Sequence, residues 1–179
     1  LAASDLSSFF ANDDWYTDAD SNVYELPTFL GNHDMGRIGS FIAADNPRAD
    51  DAERVARDRL AHELMYFSRG NPVVYYGDEQ GFTGPGGDKD ARQDMFATQT
   101  TDYKDDEIVD GTGTTTIGSQ DRYDENAPMY QHIAALAKLR AKYPALADGR
   151  QVHRYSSNTN GLYAFSRVTT PASYALAAA

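Results

Sequence analysis

Apolar residues along the chain come in short bursts that end in polar clusters. In Leu26 to Arg37 (LPTFLGNHDMGR), Leu26, Phe29 and Leu30 lead into Asn32-His33-Asp34. An apolar run that breaks abruptly into polar side chains reads as a buried strand whose C-terminal end opens into a site. Glu25 to Gly31 is therefore predicted to be a strand. Gly36, Gly39, Asn46 and Pro47 read as a connecting loop. Asp50 or Asp51 is placed to cap a helix in which Ala56, Leu60, Leu64 and Phe67 form one apolar stripe. Gly70 ends that helix and Pro72 prevents its return. Pro72 to Gly77 (PVVYYG) reads as a second short strand, β-branched and aromatic, and it too turns polar, at Asp78-Glu79-Gln80. A strand–helix–strand order implies a right-handed crossover and parallel strands. Asp34 and the Asp78-Glu79 pair are then expected on one rim of the sheet.

The flanking pattern is less regular. Leu1 to Asn12 reads as the tail of a helix, with Leu6, Phe9 and Phe10 on one face. Asp13 to Asn22 is a turn-rich acidic loop. Phe82 to Asn126 is long, rich in Gly, Asp and Thr, and without a period, the signature of a functional or disordered loop. Asn126 is placed to cap a further helix with Pro128 in its first turn and Met129, Ile133 and Leu136 buried. That helix is expected to stop near Tyr143-Pro144. Beyond Gly149 the period changes to two. Gln151 to Tyr155 and Gly161 to Val168 alternate like antiparallel strands joined at Ser156 to Asn160. The chain is accordingly divided into residues 1–148 and 149–179.

Composition narrows the function classes. The 179 residues carry 27 acidic against 16 basic side chains, a formal net charge of −11. That balance argues against nucleic acid and against an anionic membrane surface as partners. The 12% aromatic content is compatible with a neutral, ring-shaped substrate. With no cysteine, disulfides, thiolate metal sites and Cys nucleophiles are excluded. No apolar run approaches the roughly 18 residues of a membrane span. The chain opens on Leu1, already amphipathic, and is expected to begin inside a larger protein, so a missing leader says nothing about export.

Candidate chemistry centres on His33 and Asp34, whose alternative reading is a loop histidine and a capping aspartate. Asp13, Asp14, Asp18 and Asp20 have the ligand type for calcium but not the EF-hand spacing, so a solvated loop is the simpler reading. Trp15 and Tyr16 either stack on a sugar ring or seal their loop against the core, and sealing is expected. His62 and His132 lie within helices and read as surface or packing residues. Gly84-Pro85-Gly86-Gly87 is a turn that could cradle a phosphate, but the P-loop pattern is absent. Asp102 to Asp110 reads as a solvated charge run.

Taken together, FLGNHD at a strand end, a helix, GNPVVYYGDEQG, DKDAR, another helix and a β-rich end resemble the α-amylase superfamily of retaining glycoside hydrolases over most of Pro27 to Val168. The resemblance implies an α/β fold: part of a (β/α)8 TIM barrel, from the end of helix 6 through helix 8, followed by the start of an all-β domain. A whole barrel takes roughly 250 residues, so the rest of the barrel is an expected partner. The implied activity is cleavage of α-glucosidic bonds in starch-like α-glucans. The family's nucleophile and acid/base follow strands 4 and 5, outside this chain. Asp34 matches the third catalytic carboxylate, which stabilises an oxocarbenium-like transition state, and His33 matches a substrate-binding histidine. Arg37 sits where several relatives have a subsite arginine. Asp90 and Arg92 match sugar contacts, although Lys89 and Ala91 depart from the family's Asp-Pro-Asp-Asn-Arg. Asp78 and Glu79 fall where the family often has structural groups. No cofactor or metal is assigned to this segment. Calcium belongs, on the resemblance, to the rest of the protein, and export is the favoured compartment. Transglycosylation, or a non-catalytic barrel kept for binding or assembly, are the alternatives.

Overall fold

The computed structural model describes residues 2–12, 15, 19, 22–86, 89–113 and 115–169. Five helices and four strands follow one another among them. They are α1 (Ala3–Ala11), β1 (Pro27–Phe29), α2 (Ile38–Asp45), α3 (Asp51–Phe67), β2 (Asn71–Val73), α4 (Pro128–Lys142), α5 (Pro144–Asp148), β3 (Arg150–Ser156) and β4 (Tyr163–Val168). β1 and β2 are neighbours in one two-stranded sheet, β3 and β4 in another. Packing divides the chain into two compact units.

The first unit takes Leu1–Thr28, Tyr66–Asn71 and Leu139–Ala179. Its centre is the antiparallel β3–β4 hairpin, in register from Arg150↔Val168 to Ser156↔Tyr163 with a bulge between His153 and Tyr155. The first turn of α1 has backbone N–H groups without helical partners, and the hairpin turn supplies acceptors. Ala3 N donates to Thr159 O and Ser4 N to Ser157 O, both at 2.9 Å. Phe10 stacks on Tyr163, with ring centroids 6.1 Å apart. The C-terminal end of α3 is capped by cations, as its dipole favours. Arg140 donates to Tyr66 O and Gly70 O, and Arg167 to Phe67 O. Gly70 has φ +97°, and a Cβ there would lie 2.7 Å from Thr28 Cγ2. Trp15 is 86% exposed, so it does not seal its loop. Asp13, Asp14, Tyr16, Asp18 and Asp20 lie outside the described residues.

The second unit takes Phe29–Met65 and Pro72–Lys138. It departs from the sequence expectation in three places. First, Ile38–Asp45 is a helix, not a loop. Ile38, Phe41 and Ile42 have helical spacing, and Gly39 is small because Phe82 O lies only 3.1 Å from where its Cβ would be. Second, α3 is rotated relative to the expected stripe. Leu60 is 64% exposed and Ala56 is exposed, while Val55, Asp58, His62 and Met65 are buried. An apolar stripe assumes that polar residues seek water. Here Asp58 and His62, one turn apart, are buried together, with His62 Nδ1 3.0 Å from Asp58 Oδ1.

Third, Phe82 to Asn126 is not featureless. Isolated bridges join Phe82 to Ile108 and Glu107 to Thr116, and Phe82, Ile108 and Ile117 form a buried cluster against Met95. Asp102 to Asp110 is thus only partly a solvated run, since Ile108 and Val109 within it are 3% and 2% exposed. Burial raises the Asp106 carboxyl above its usual range, against a hydrogen bond from Gln93. The expectations for the α4 face hold: Met129, Ile133 and Leu136 are buried. Among the described residues no helix is long and apolar enough to cross a membrane.

Candidate active site

The site residues sit at the ends of the two short strands and in the loop that follows the second. After β1 the chain turns sharply. Asn32 Oδ1 accepts from Asp34 N at 2.8 Å and from Met35 N at 3.1 Å, a side-chain-closed turn that presents His33 and Asp34 outward. His33 Nε2 lies 3.1 Å from Asp34 Oδ2, and the two side chains are 60% and 67% exposed. Arg92 faces them from the later loop. Its Nη2 is 3.6 Å from Asp34 Oδ1, and its Nε donates to His33 O at 3.3 Å. Asp90 is exposed in the same loop. The structure therefore gathers His33, Asp34 and Arg92 into one open polar cluster, with Asp90 two residues away.

Arg37 is different. It was expected at a sugar subsite, yet it is 0% exposed. Its Nε donates to Gln93 Oε1 at 2.8 Å, its Nη1 to Tyr76 O at 2.7 Å and Asp78 Oδ1 at 2.8 Å, and its Nη2 to Ala91 O at 3.1 Å. The guanidinium also stacks near Tyr75, at 4.6 Å, and Tyr76, at 5.2 Å. A buried guanidinium whose donors are committed to protein oxygens has no face to offer a ligand. Arg37 is a structural tie, which corrects the subsite assignment.

Asp78 is its partner and is 3% exposed. Burial pushes the Asp78 carboxyl up to about 6, while the Arg37 charge and hydrogen bond hold it down. Glu79 turns back to accept from Gly77 N at 2.8 Å, closing its own turn. So the two strand-end loops do meet, but through the buried Arg37–Asp78 pair and not through an exposed pair of carboxylates. Burial likewise pushes the Tyr76 hydroxyl up to about 12, helped by its hydrogen bond to Tyr75.

Gly84 and Gly86 serve close packing rather than a phosphate. Arg37 N donates to Gly84 O at 3.0 Å. A Cβ on Gly36 would lie 2.8 Å from Pro85 O, and one on Gly86, which has φ +98°, 2.6 Å from Gly36 N. Gly87 lies outside the described residues.

Two buried residues of this region were missed from sequence. Gln93 is 1% exposed beside the exposed Arg92, and as a polar side chain next to a charged one it carries no local sequence signal of burial. The other is Asp58, whose i,i+4 spacing to His62 was readable. His62 Nδ1 lies 3.0 Å from Asp58 Oδ1 and from Asp58 O. Burial acts to lower the imidazole pKa, but the Asp58 hydrogen bonds and charge, with Asp78 behind them, leave it raised above 6.5. His132 reaches Glu63 at 3.3 Å, away from the exposed cluster. Among the described residues no group of three or more His, Asp or Glu side chains is placed to hold a metal ion.

The description "Alpha amylase, catalytic domain" belongs to a family whose sequence model matches residues 3–149. The chain belongs to the α-amylase catalytic-domain family. It is 58% identical over 166 residues to an α-amylase of Streptomyces lividans, covering 93% of this chain and 18% of that protein. It is 32% identical over 136 residues to a cyclomaltodextrin glucanotransferase of Paenibacillus macerans, covering 76% of this chain and 14% of that protein.

Among solved structures it resembles an Anoxybacillus α-amylase (TM-score 0.67, 22% identity), over 96% of this chain and 30% of that one. It also resembles the α-amylase of Geobacillus thermoleovorans complexed with acarbose (TM-score 0.63, 23% identity), over 93% of this chain and 29% of that one. The chain thus spans about a third or less of the family members it matches. Its fold is the corresponding part of an α-amylase-family (β/α)8 barrel, and the strand-helix-strand unit that carries Asp34 is a piece of that barrel.

Proposed function

We propose that this chain is the segment of a retaining glycoside hydrolase that supplies the third catalytic carboxylate and part of the sugar-binding rim. The intact enzyme would cleave α-glucosidic bonds in starch-like α-glucans. The observation that carries the reading is the open cluster of Asp34, His33 and Arg92, presented by a strand-end turn while the neighbouring ion pair is buried.

A retaining mechanism needs a carboxylate nucleophile and an acid/base about 5 Å apart. On the family resemblance both come from other strands of the barrel. Asp34 has a different task. Its Oδ2 faces His33 and its Oδ1 faces Arg92, which leaves lone pairs on both oxygens for sugar hydroxyls. As the glycosidic bond breaks, positive charge grows on the ring, and hydrogen bonds to a fixed carboxylate strengthen with it. His33 and Arg92 orient that carboxylate and add donors for the same sugar, and Asp90 lies within reach of a neighbouring one. Arg37 takes no part in binding and holds the rim together.

The test is Asp34→Asn in the intact protein, assayed by release of reducing ends from soluble starch. Loss of a charge that acts mainly in the transition state should lower kcat by about 10²-fold or more with a much smaller change in KM. An unchanged kcat would remove Asp34 from the catalytic set. The isolated 179-residue chain should show no turnover above a blank. A second reading, transglycosylation, is supported by the cyclomaltodextrin glucanotransferase relative. Product analysis with maltoheptaose separates the two: hydrolysis yields only linear products with a rise in reducing ends, and transfer yields cyclic or lengthened ones.

A further inference from the structure

We infer that Gln93 is a positioning residue, which holds Arg92 against Asp34 through the buried Arg37 guanidinium. The inference rests on the functional reading of Asp34 and Arg92 given above and assigns a role to a side chain that touches no substrate.

The geometry is specific. Ala91 and Gln93 are 0% and 1% exposed, while Arg92 between them is exposed. Arg37 grips both buried neighbours: Nη2 donates to Ala91 O at 3.1 Å and Nε to Gln93 Oε1 at 2.8 Å. Arg92 is therefore flanked by a backbone carbonyl, that of Ala91, and a side-chain amide, that of Gln93, which both accept from one guanidinium, and that guanidinium belongs to a residue three positions after Asp34. The two halves of the exposed cluster share a single buried anchor.

Gln93 is suited to this by its chemistry. An amide presents an acceptor and a two-hydrogen donor at opposite corners. Arg37 can only donate, so Oε1 must face it, and this sets the amide's orientation. Nε2 then faces three oxygens: Thr83 O, Asp90 O at 3.0 Å and Asp106 Oδ2 at 2.9 Å. The same amide thus also holds the backbone of Asp90, the other candidate sugar contact. Room for it depends on Gly84, because any Cβ there would collide with Nε2. Methionine would fill the same volume with neither acceptor nor donor. Glutamate would keep the acceptor for Arg37 but lose the donors and place a second carboxylate against Asp106.

The experiment uses the intact enzyme and four proteins: wild type, Gln93→Met, Arg92→Ala and the double variant. Displacing a binding group by about 1 Å can cost about 10²-fold. Gln93→Met is therefore expected to lower kcat/KM on maltoheptaose by about 10- to 100-fold. In the Arg92→Ala background the same change should cost at least about threefold less, because the main group it positions is gone and only its hold on the Asp90 backbone remains. A merely structural role would cost the same in both backgrounds, and that outcome overturns the inference, as does a Gln93→Met enzyme within twofold of wild type.

A second arm is independent of turnover. Amide hydrogen exchange in the intact protein should speed up by at least about tenfold over residues 89–93 in Gln93→Met, with residues 128–142 unchanged. Unchanged exchange at 89–93 overturns the anchor itself. An intact wild-type protein that processes no α-glucan sinks the proposed function instead, and the anchor is then judged on exchange alone.

Discussion

Replacing Arg37 by Met in the intact protein is the most demanding test of the buried tie. Four acceptors lose their donor at once: Asp78 Oδ1, Gln93 Oε1, Tyr76 O and Ala91 O. The carboxylate dominates, because Asp78 is 3% exposed and water cannot replace the guanidinium. Breaking a buried ion pair from one side typically costs about 3–5 kcal/mol, a large part of a usual stability of about 5–15 kcal/mol. Arg37→Lys keeps a charge near Asp78 but not the planar fork, so about 1–3 kcal/mol is expected. Removing both charges, in Arg37→Met/Asp78→Leu, should recover part of the loss.

The pH dependence supplies an independent check of sign. Asp78 already has its pKa raised to about 6, and without Arg37 it rises further. A carboxyl whose folded pKa lies above its unfolded value retains a proton that the unfolded chain releases. Stability then falls as pH rises from about 4 through the folded pKa. The fall continues to higher pH in the variant, so its deficit should be smaller near pH 5, where mainly the three neutral acceptors are left unmet, and larger near pH 8. Urea unfolding followed by circular dichroism, with midpoints compared at constant slope, measures both. A deficit under about 1 kcal/mol at pH 8, or one that does not change with pH, would refute the reasoning.

Two further outcomes follow from the same unit. Gly81→Ala should destabilise by at least about 2 kcal/mol in the same unfolding assay, since Gly81 has φ +78° and a Cβ there would collide with Val109 O; a loss below about 0.5 kcal/mol would show that the loop yields freely. His62, with its pKa raised, contributes stability that is fully present below about pH 6.5 and is lost as pH rises through the folded value. His62→Gln should therefore flatten the dependence of Tm on pH above about 6.5, and an unaltered slope would remove His62 from the account.

What could be read in the chain by itself was local and chemical. The apolar run into Asn32-His33-Asp34 announced a strand end with exposed polar groups, and the spacing of Met129, Ile133 and Leu136 announced one face of α4. Alternation announced β3 and β4 to within a residue or two. These features depend on neighbours within a few positions, so periodicity and turn chemistry suffice.

What the sequence could not decide was which polar groups would be buried. Arg37, Asp78, Gln93, Asp58 and His62 are polar residue types, and each is buried here against a partner from a distant or adjacent turn. The rotation of α3 follows from the same fact, since a stripe containing Asp58 and His62 looks like the wrong face until they are seen to pair. The tertiary structure alone decided that Arg37, beside the catalytic candidates in sequence, points away from them and binds the loop that carries Arg92. A guanidinium fork joins segments 39 to 56 residues apart only when the fold brings their oxygens to its plane.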